Sequence, residues 1–157
     1  MRPSDNLPNF VLSIDTNILL AGVEVTNKDH AKAAGFLSGM NQRDDVAISE
    51  FALVELYVLL RNPAVLRQPL KASVAAGVCG AFRSHPRWQV VGFPVDSRMF
   101  HDAFWPRLAQ ESFARRRAFD WRLALTLLRS GVTEFATVNA KDFESFGFQR
   151  VWNPLAR

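Results

Sequence analysis

The chain has 157 residues, 48% of them hydrophobic and 22% charged, which suits one globular domain over residues 1–157 and excludes a disordered chain. One cysteine, Cys79, excludes an internal disulfide framework and fits a reducing compartment; with neither a leader pattern nor an apolar run of membrane-spanning length, the expectation is a soluble, cytoplasmic protein with no membrane partner. The net charge of +4 is carried mostly by arginine, whose planar fork binds phosphate as lysine cannot, so composition leans mildly towards a phosphate-bearing partner.

The first informative stretch is Phe10 to Leu20. A short β-branched and leucine-rich run reads as a buried strand, and it ends at Asp15 followed by Thr16 and Asn17. Asp15 is thus placed at a strand's carboxyl end, the edge where open α/β sheets bind ligands. The same residue also serves as a plain helix cap, so this segment alone leaves both readings open. Asn27 or Thr26 is expected to cap a second helix bearing His30, Ala33, Phe36, Leu37 and Met40, with His30 partly buried and holding one hydrogen bond. A polar turn over 41–45 leads to a second strand, Val46 to Ile48.

Ser49 then caps a helix from Glu50 to Arg61, stopped by Asn62-Pro63. Between Phe51 and Leu60 every residue is apolar or aromatic except Glu55, so this carboxylate projects from a face that otherwise seeks burial. A buried carboxylate calls for a cation, a metal or a proton, and an arginine ion pair is the structural alternative to a ligand role. A further helix is expected over about Leu70 to Phe82, a turn with a solvated His85, and a third strand at Trp88 to Val91. Asp96 caps a helix that Pro106 is expected to kink or end, with His101 exposed on it.

A polar connection, Gln110 to Ala118, carries Arg115, Arg116 and Arg117 and runs straight into Phe119-Asp120. Asp120 opens a helix to Arg129 closed by Ser130-Gly131, and its i+4, i+7 and i+8 neighbours Ala124, Leu127 and Leu128 form the buried stripe. The helix dipole favours an acid in a first turn, but does not explain its inward direction. Glu134 to Val138 is a fourth strand leading into Asn139-Ala140-Lys141-Asp142, and Gln149 to Trp152 a short last one. Alternating strands and helices imply a three-layer α/β/α fold around a mostly parallel sheet of four to five strands.

Asp15, Glu55, Asp120 and Asp142 can therefore meet at one sheet edge. Four acids in one cleft stay ionised only around a cation, and oxygen-only donors select Mg²⁺, with Mn²⁺ as a substitute. The chemistry such an ion supports is hydrolysis of a phosphodiester by activated water.

Asp15-Thr16-Asn17-Ile18-Leu19, Glu55 within Val54-Glu55-Leu56, the Phe119-Asp120 helix start and Thr137-x-Asn139-x-x-Asp142-Phe143 together resemble the PIN-domain ribonucleases, in particular VapC-type toxins of bacterial toxin–antitoxin pairs. The likeness runs over essentially the whole chain, with all four acids in order. It implies a Mg²⁺-dependent endoribonuclease in which Asp15, Glu55, Asp120 and Asp142 surround the metal, Asp15 and Asp120 foremost, while Thr16 and Asn139 orient them. It also implies an RNA substrate, a small antitoxin covering the cleft, and a homodimer, for which the Glu50 to Arg61 helix with Val65 and Leu66 is the expected face. Arg115, Arg116 and Arg117 are expected on the rim, tracking the RNA backbone. Trp121 departs from the family pattern, being bulkier than the small residue often found at what should be the cleft entrance.

Other readings are weaker. A phosphatase of the haloacid dehalogenase type needs an aspartate where Asn17 stands, and a phosphoaspartate receiver domain needs a middle-strand aspartate with a paired lysine that is not evident. Two alternatives remain: a catalytically idle PIN-like module that binds RNA or protein, and an acid cluster paired with arginines as core structure.

Overall fold

Each strand of the sheet contributes only three residues, and long helical connections carry the rest of the chain. In the computed structural model, which describes residues 9–156, β1 (Leu12–Ile14) pairs with β4 (Glu134–Ala136) and β4 with β5 (Arg150–Trp152). On the other side β2 (Ala47–Ser49) pairs with β3 (Gln89–Val91), and a bridge from Leu12 to Val46 joins the two groups. The order across the sheet is β3-β2-β1-β4-β5, and every pairing is parallel.

The connections are α1 (Thr16–Val23), α2 (His30–Met40), α3 (Glu50–Leu60), α4 (Ala72–Arg83), α5 (Ser97–Leu108), α6 (Ala118–Arg129) and α7 (Ala140–Phe143). The pleat sends alternate strand residues into two separate cores. Leu12, Ile14, Ile48 and Ala136 pack with α1 to α4 on one face. Ala47 and Phe135 pack with Phe100, Phe104, Trp121, Leu125 and Phe143 from α5, α6 and α7 on the other. The expected three-layer parallel architecture is the observed one.

Helix ends follow from local chemistry. Asp15, Ser49 and Asp96 cap α1, α3 and α5, each side chain accepting a backbone N–H of the first turn. At the end of α6, Gly131 has φ +96°, the Gly131 amide donates to Leu128 and the Val132 amide to Leu127. This paired arrangement needs a left-handed residue, which glycine adopts without a Cβ clash.

Three local expectations change. The α2 cap is Asp29 rather than Asn27 or Thr26, because the Asn27 Oδ1 accepts from the Asp29 amide at 2.9 Å and Thr26 bonds Glu24. Pro106 does not end α5, which runs on to Leu108; two residues from the C-terminus, its missing N–H costs the helix one backbone bond. His85 is not merely solvated: it stacks on Trp88 at 4.1 Å between ring centres and its Nδ1 accepts from the Arg87 and Trp88 amides. His30 is as expected, with Nδ1 2.9 Å from the Ala21 carbonyl.

Candidate active site

In chain order β1 is followed by β2 on one side of it, whereas β4 occupies the other side. The carboxyl ends of β1 and β4 therefore form a topological switch point, where the departing loops diverge and leave a crevice. Asp15 leaves β1 there and is 7% exposed. Its Oδ1 accepts from the Thr16 amide at 2.8 Å, and its Oδ2 accepts from the Thr137 hydroxyl at 2.7 Å. The helix cap and the cleft carboxylate are thus one group, since each oxygen has a second lone pair left for another partner.

Glu55, in the second turn of α3, reaches towards the same place. The Thr16 hydroxyl lies 3.4 Å from its Oε2 and 3.5 Å from the Ala52 carbonyl, and donates to one at a time. Glu55 differs from expectation in its setting, because its helix face is open rather than buried. Val54 is 63% and Val58 55% exposed beside it. Asp120 sits in the first turn of α6, which starts two residues earlier than expected, at Ala118. With Glu55 it lines a cavity of about 510 Å³, shared with Phe51, Phe119, Arg122 and Leu123. A larger cavity of about 770 Å³, between Glu24 and Leu70, contains none of the four candidate acids. Asp142 is exposed, in the first turn of α7, and lines a separate cavity with Asn139 and Lys141.

Charge couples these groups. Burial is the chief force holding the Asp15 carboxyl above its usual range, opposed by the hydrogen bonds from Thr137 and Thr16. Burial and then the charges of Asp15 and Asp120 raise Glu55, while burial followed by the charges of Asp142 and Asp15 raises Asp120. The four acids are therefore within electrostatic reach in the sequence Asp142, Asp120, Asp15, Glu55. No salt bridge among the described residues compensates them; the ion pairs are Arg43 with Asp45, Arg87 with Asp44 and Arg150 with Glu134. An acid cluster paired with arginines as core structure does not describe this arrangement.

The donor set is all oxygen and fits a hard divalent cation. Among the described residues no three histidine, cysteine or acidic side chains stand close enough to cage an ion directly.

Other expected residues take different places. Arg117 is anchored to α7: its Nη2 donates to the Asp142 carbonyl and lies 3.5 Å from Ser145 Oγ, with its guanidinium 4.7 Å from the Phe146 ring centre. It ties the 3₁₀ turn Arg115–Arg117 to α7, and its charge partly offsets the upward shift of Asp120. Arg115 and Arg116 are exposed. Replacing Arg117 by alanine should lower stability by about 1.5–3 kcal/mol, the range for charged hydrogen bonds, whereas Arg115→Ala and Arg116→Ala should each change it by about 0.5 kcal/mol or less. Urea melts of the three variants measure the contrast.

Asn139 acts through its backbone, its amide donating to Thr137 Oγ1 at 3.0 Å. Trp121 is 5% exposed, with Nε1 donating to the Phe104 carbonyl, so it fills the α5–α6 core instead of shaping the entrance. The residue that sequence reading missed as a positioning group is Thr137. Register carries the signal: Ile14 pairs with Ala136 in parallel, which sets the next residues, Asp15 and Thr137, side by side.

No family model matches the chain. Over 146 residues it is 49% identical to Ribonuclease VapC24 of Mycobacterium tuberculosis, in both the CDC 1551 / Oshkosh and H37Rv strains, covering 92% of this chain and 97% of the relative. Among solved structures it is similar to VapC20 of Mycobacterium tuberculosis, a sarcin-ricin loop cleaving toxin, with a TM-score of 0.64 and 19% identity over 87% of this chain and 95% of that one. It is also similar to VapBC2 from Rickettsia felis bound to a DNA fragment from the promoter, with a TM-score of 0.64 and 17% identity over 92% and 98% of the two chains. At such identities the two structural likenesses speak for the fold.

Proposed function

Since the chain belongs to the VapC family of PIN-domain ribonuclease toxins, we propose that it is a divalent-metal-dependent endoribonuclease, the toxin of a toxin–antitoxin pair, acting through Asp15, Glu55, Asp120 and Asp142. The observation that supports this most is the convergence of uncompensated acids on the switch point of the sheet. Asp15 and Asp120 would hold Mg²⁺ or Mn²⁺, with Glu55 and Asp142 completing the oxygen set. The bound ion supplies Lewis-acid charge to the phosphate and lowers the pKa of the attacking water. Thr137 fixes the direction of Asp15, the Asn139 amide fixes Thr137, and Thr16 steadies both Asp15 and Glu55. Glu55, exposed at the open edge of α3, would take the proton that the attacking water releases.

The antitoxin we assign to the cleft side, where Val54, Val58 and the 81% exposed Phe119 surround the acids with apolar surface. The VapBC2 structure among the structural neighbours supports such a partner. A homodimer through α3 is the companion expectation; Val65 beyond it is 44% exposed, while Leu66 is buried and unavailable. No helix among the described residues is long and apolar enough to cross a membrane.

The test is incubation of purified protein with a mixed cellular RNA pool, with Mg²⁺, with Mn²⁺ and with chelator. Cutting that requires the metal is the expected result. A folded protein that cuts nothing and takes up no Mn²⁺ would instead be a PIN-like module that binds RNA or protein.

A further inference from the structure

Arg122 lies two residues beyond Asp120 and lines the same cavity as Asp120 and Glu55. Its guanidinium carbon is 3.8 Å from the centre of the Phe51 ring and 4.0 Å from that of Phe93. Those two rings stand at 84° with centres 6.2 Å apart, so the cation sits in a corner with two aromatic walls. Phe93 is braced in turn by an edge contact with the buried Phe100, 5.4 Å between centres. Cation–π contacts hold a guanidinium in place without using its five N–H donors.

Among the described residues those donors find no protein acceptor. The arginine side chains that donate hydrogen bonds among the described residues are Arg43, Arg61, Arg87, Arg107 and Arg117. Arg122 forms no salt bridge among the described residues either, and Glu50 is near enough for its charge to be felt. Fixing a long, rotamer-rich side chain costs entropy, and here no protein hydrogen bond offsets it. The cation is instead held ready at the edge of a cleft whose four acids repel a polyanion.

We propose that Arg122 positions RNA, its N–H fork binding one backbone phosphate beside the linkage that is cut. The inference rests on the ribonuclease reading and adds a residue that the acid pattern does not contain. A phosphate matches the fork in charge and geometry, and it is present in RNA of any sequence.

Two measurements test it. Steady-state cleavage of one RNA substrate by the parent, Arg122→Ala and Arg122→Lys should show kcat/KM lower by about ten- to a hundredfold in Arg122→Ala, chiefly through KM, with Arg122→Lys recovering part. Binding of a fluorescein-labelled single-stranded RNA, measured in an Asp15→Asn background over a salt series, should show the log–log salt slope reduced by about 0.7 in Arg122→Ala, the value for one phosphate on a single strand, and restored in Arg122→Lys. Phe93→Leu, which keeps the cation and removes one wall, should weaken binding by about two- to tenfold without changing the slope, and it decides the case should Arg122→Ala melt before the parent. Unchanged kcat/KM and slope in a folded Arg122→Ala protein overturn the proposal. So does a loss confined to substrates with guanine at one position, since a fork reading a base edge leaves the slope unaltered. If the parent itself cuts no RNA, the ribonuclease reading fails first, and the salt series still reports whether Arg122 meets phosphate.

Discussion

An Asp120→Asn protein should cut RNA about a hundred- to a thousandfold more slowly than the parent and yet, with chelator present at neutral pH, melt at a higher temperature. The first half follows from the proposed role, in which Asp120 is a charged oxygen ligand of the ion beside the reacting phosphate. The second follows from linkage. Asp120 is held above its ordinary value of 3.8 by burial and by the charges of Asp142 and Asp15, with Arg117 only partly opposing. Below that ordinary value the carboxyl is protonated in both the folded and unfolded chain, and contributes nothing. As pH rises from there towards the raised folded value, the unfolded chain releases its proton first and folding loses stability, a deficit that persists at neutral pH. Asparagine has no proton to lose, so its advantage should be present at pH 7 and shrink as pH falls towards 4. Adding Mg²⁺ should stabilise the parent more than the variant, because binding to the folded state alone adds stability. Thermal melts at the two pH values, with chelator and with Mg²⁺, give the whole pattern. A variant that melts below the parent in chelator at pH 7 contradicts it.

Such a gain on losing an acid is the mark of a site arranged for a ligand rather than for folding. The same tension made part of the site legible in the amino-acid sequence. Glu55 stands alone in an apolar helix, Asp15 closes a buried strand, and Asp120 points along a buried stripe, each in conflict with simple burial. The parallel three-layer architecture was legible for a related reason: continuous apolar runs and helical periodicity report which surfaces must leave water. What the sequence does not display is direction. Glu55 lies on a face that stays open because α4 packs elsewhere on α3, and periodicity alone does not say which apolar face finds a partner. Arg117 and its two neighbours look identical in the sequence, but only Arg117 reaches the Asp142 carbonyl. Asn27 offered a fine helix cap and was taken by a turn one step earlier. Arg122 is inconspicuous in the sequence because its partners, Phe51 and Phe93, come from distant segments and are brought to it by tertiary packing.

Thr137 is where register, hydrogen bonding and chemistry meet, and its removal should damage the site, though less than loss of an acid does. In Thr137→Val the shape is kept, but Asp15 Oδ2 loses a donor at 2.7 Å and the Asn139 amide loses an acceptor at 3.0 Å. The expected result is a fall of about ten- to a hundredfold in Mn²⁺ affinity or in cleavage, the range for groups that orient a metal ligand without touching the metal. The direction of a second effect is also set. The hydrogen bond from Thr137 lowers the Asp15 carboxyl against the pull of burial, so without it the carboxyl rises further and ionises only at higher pH. The acid limb of the pH–rate profile should therefore move to higher pH in Thr137→Val. Thr137→Ser, which returns the hydroxyl, should restore both the affinity and the limb. A purely structural threonine would lower the melting temperature in Thr137→Val while leaving Mn²⁺ affinity and the pH limb where they were. Titration of Mn²⁺ into the three proteins separates the two roles, because it reads the orientation of Asp15 in protein that remains folded.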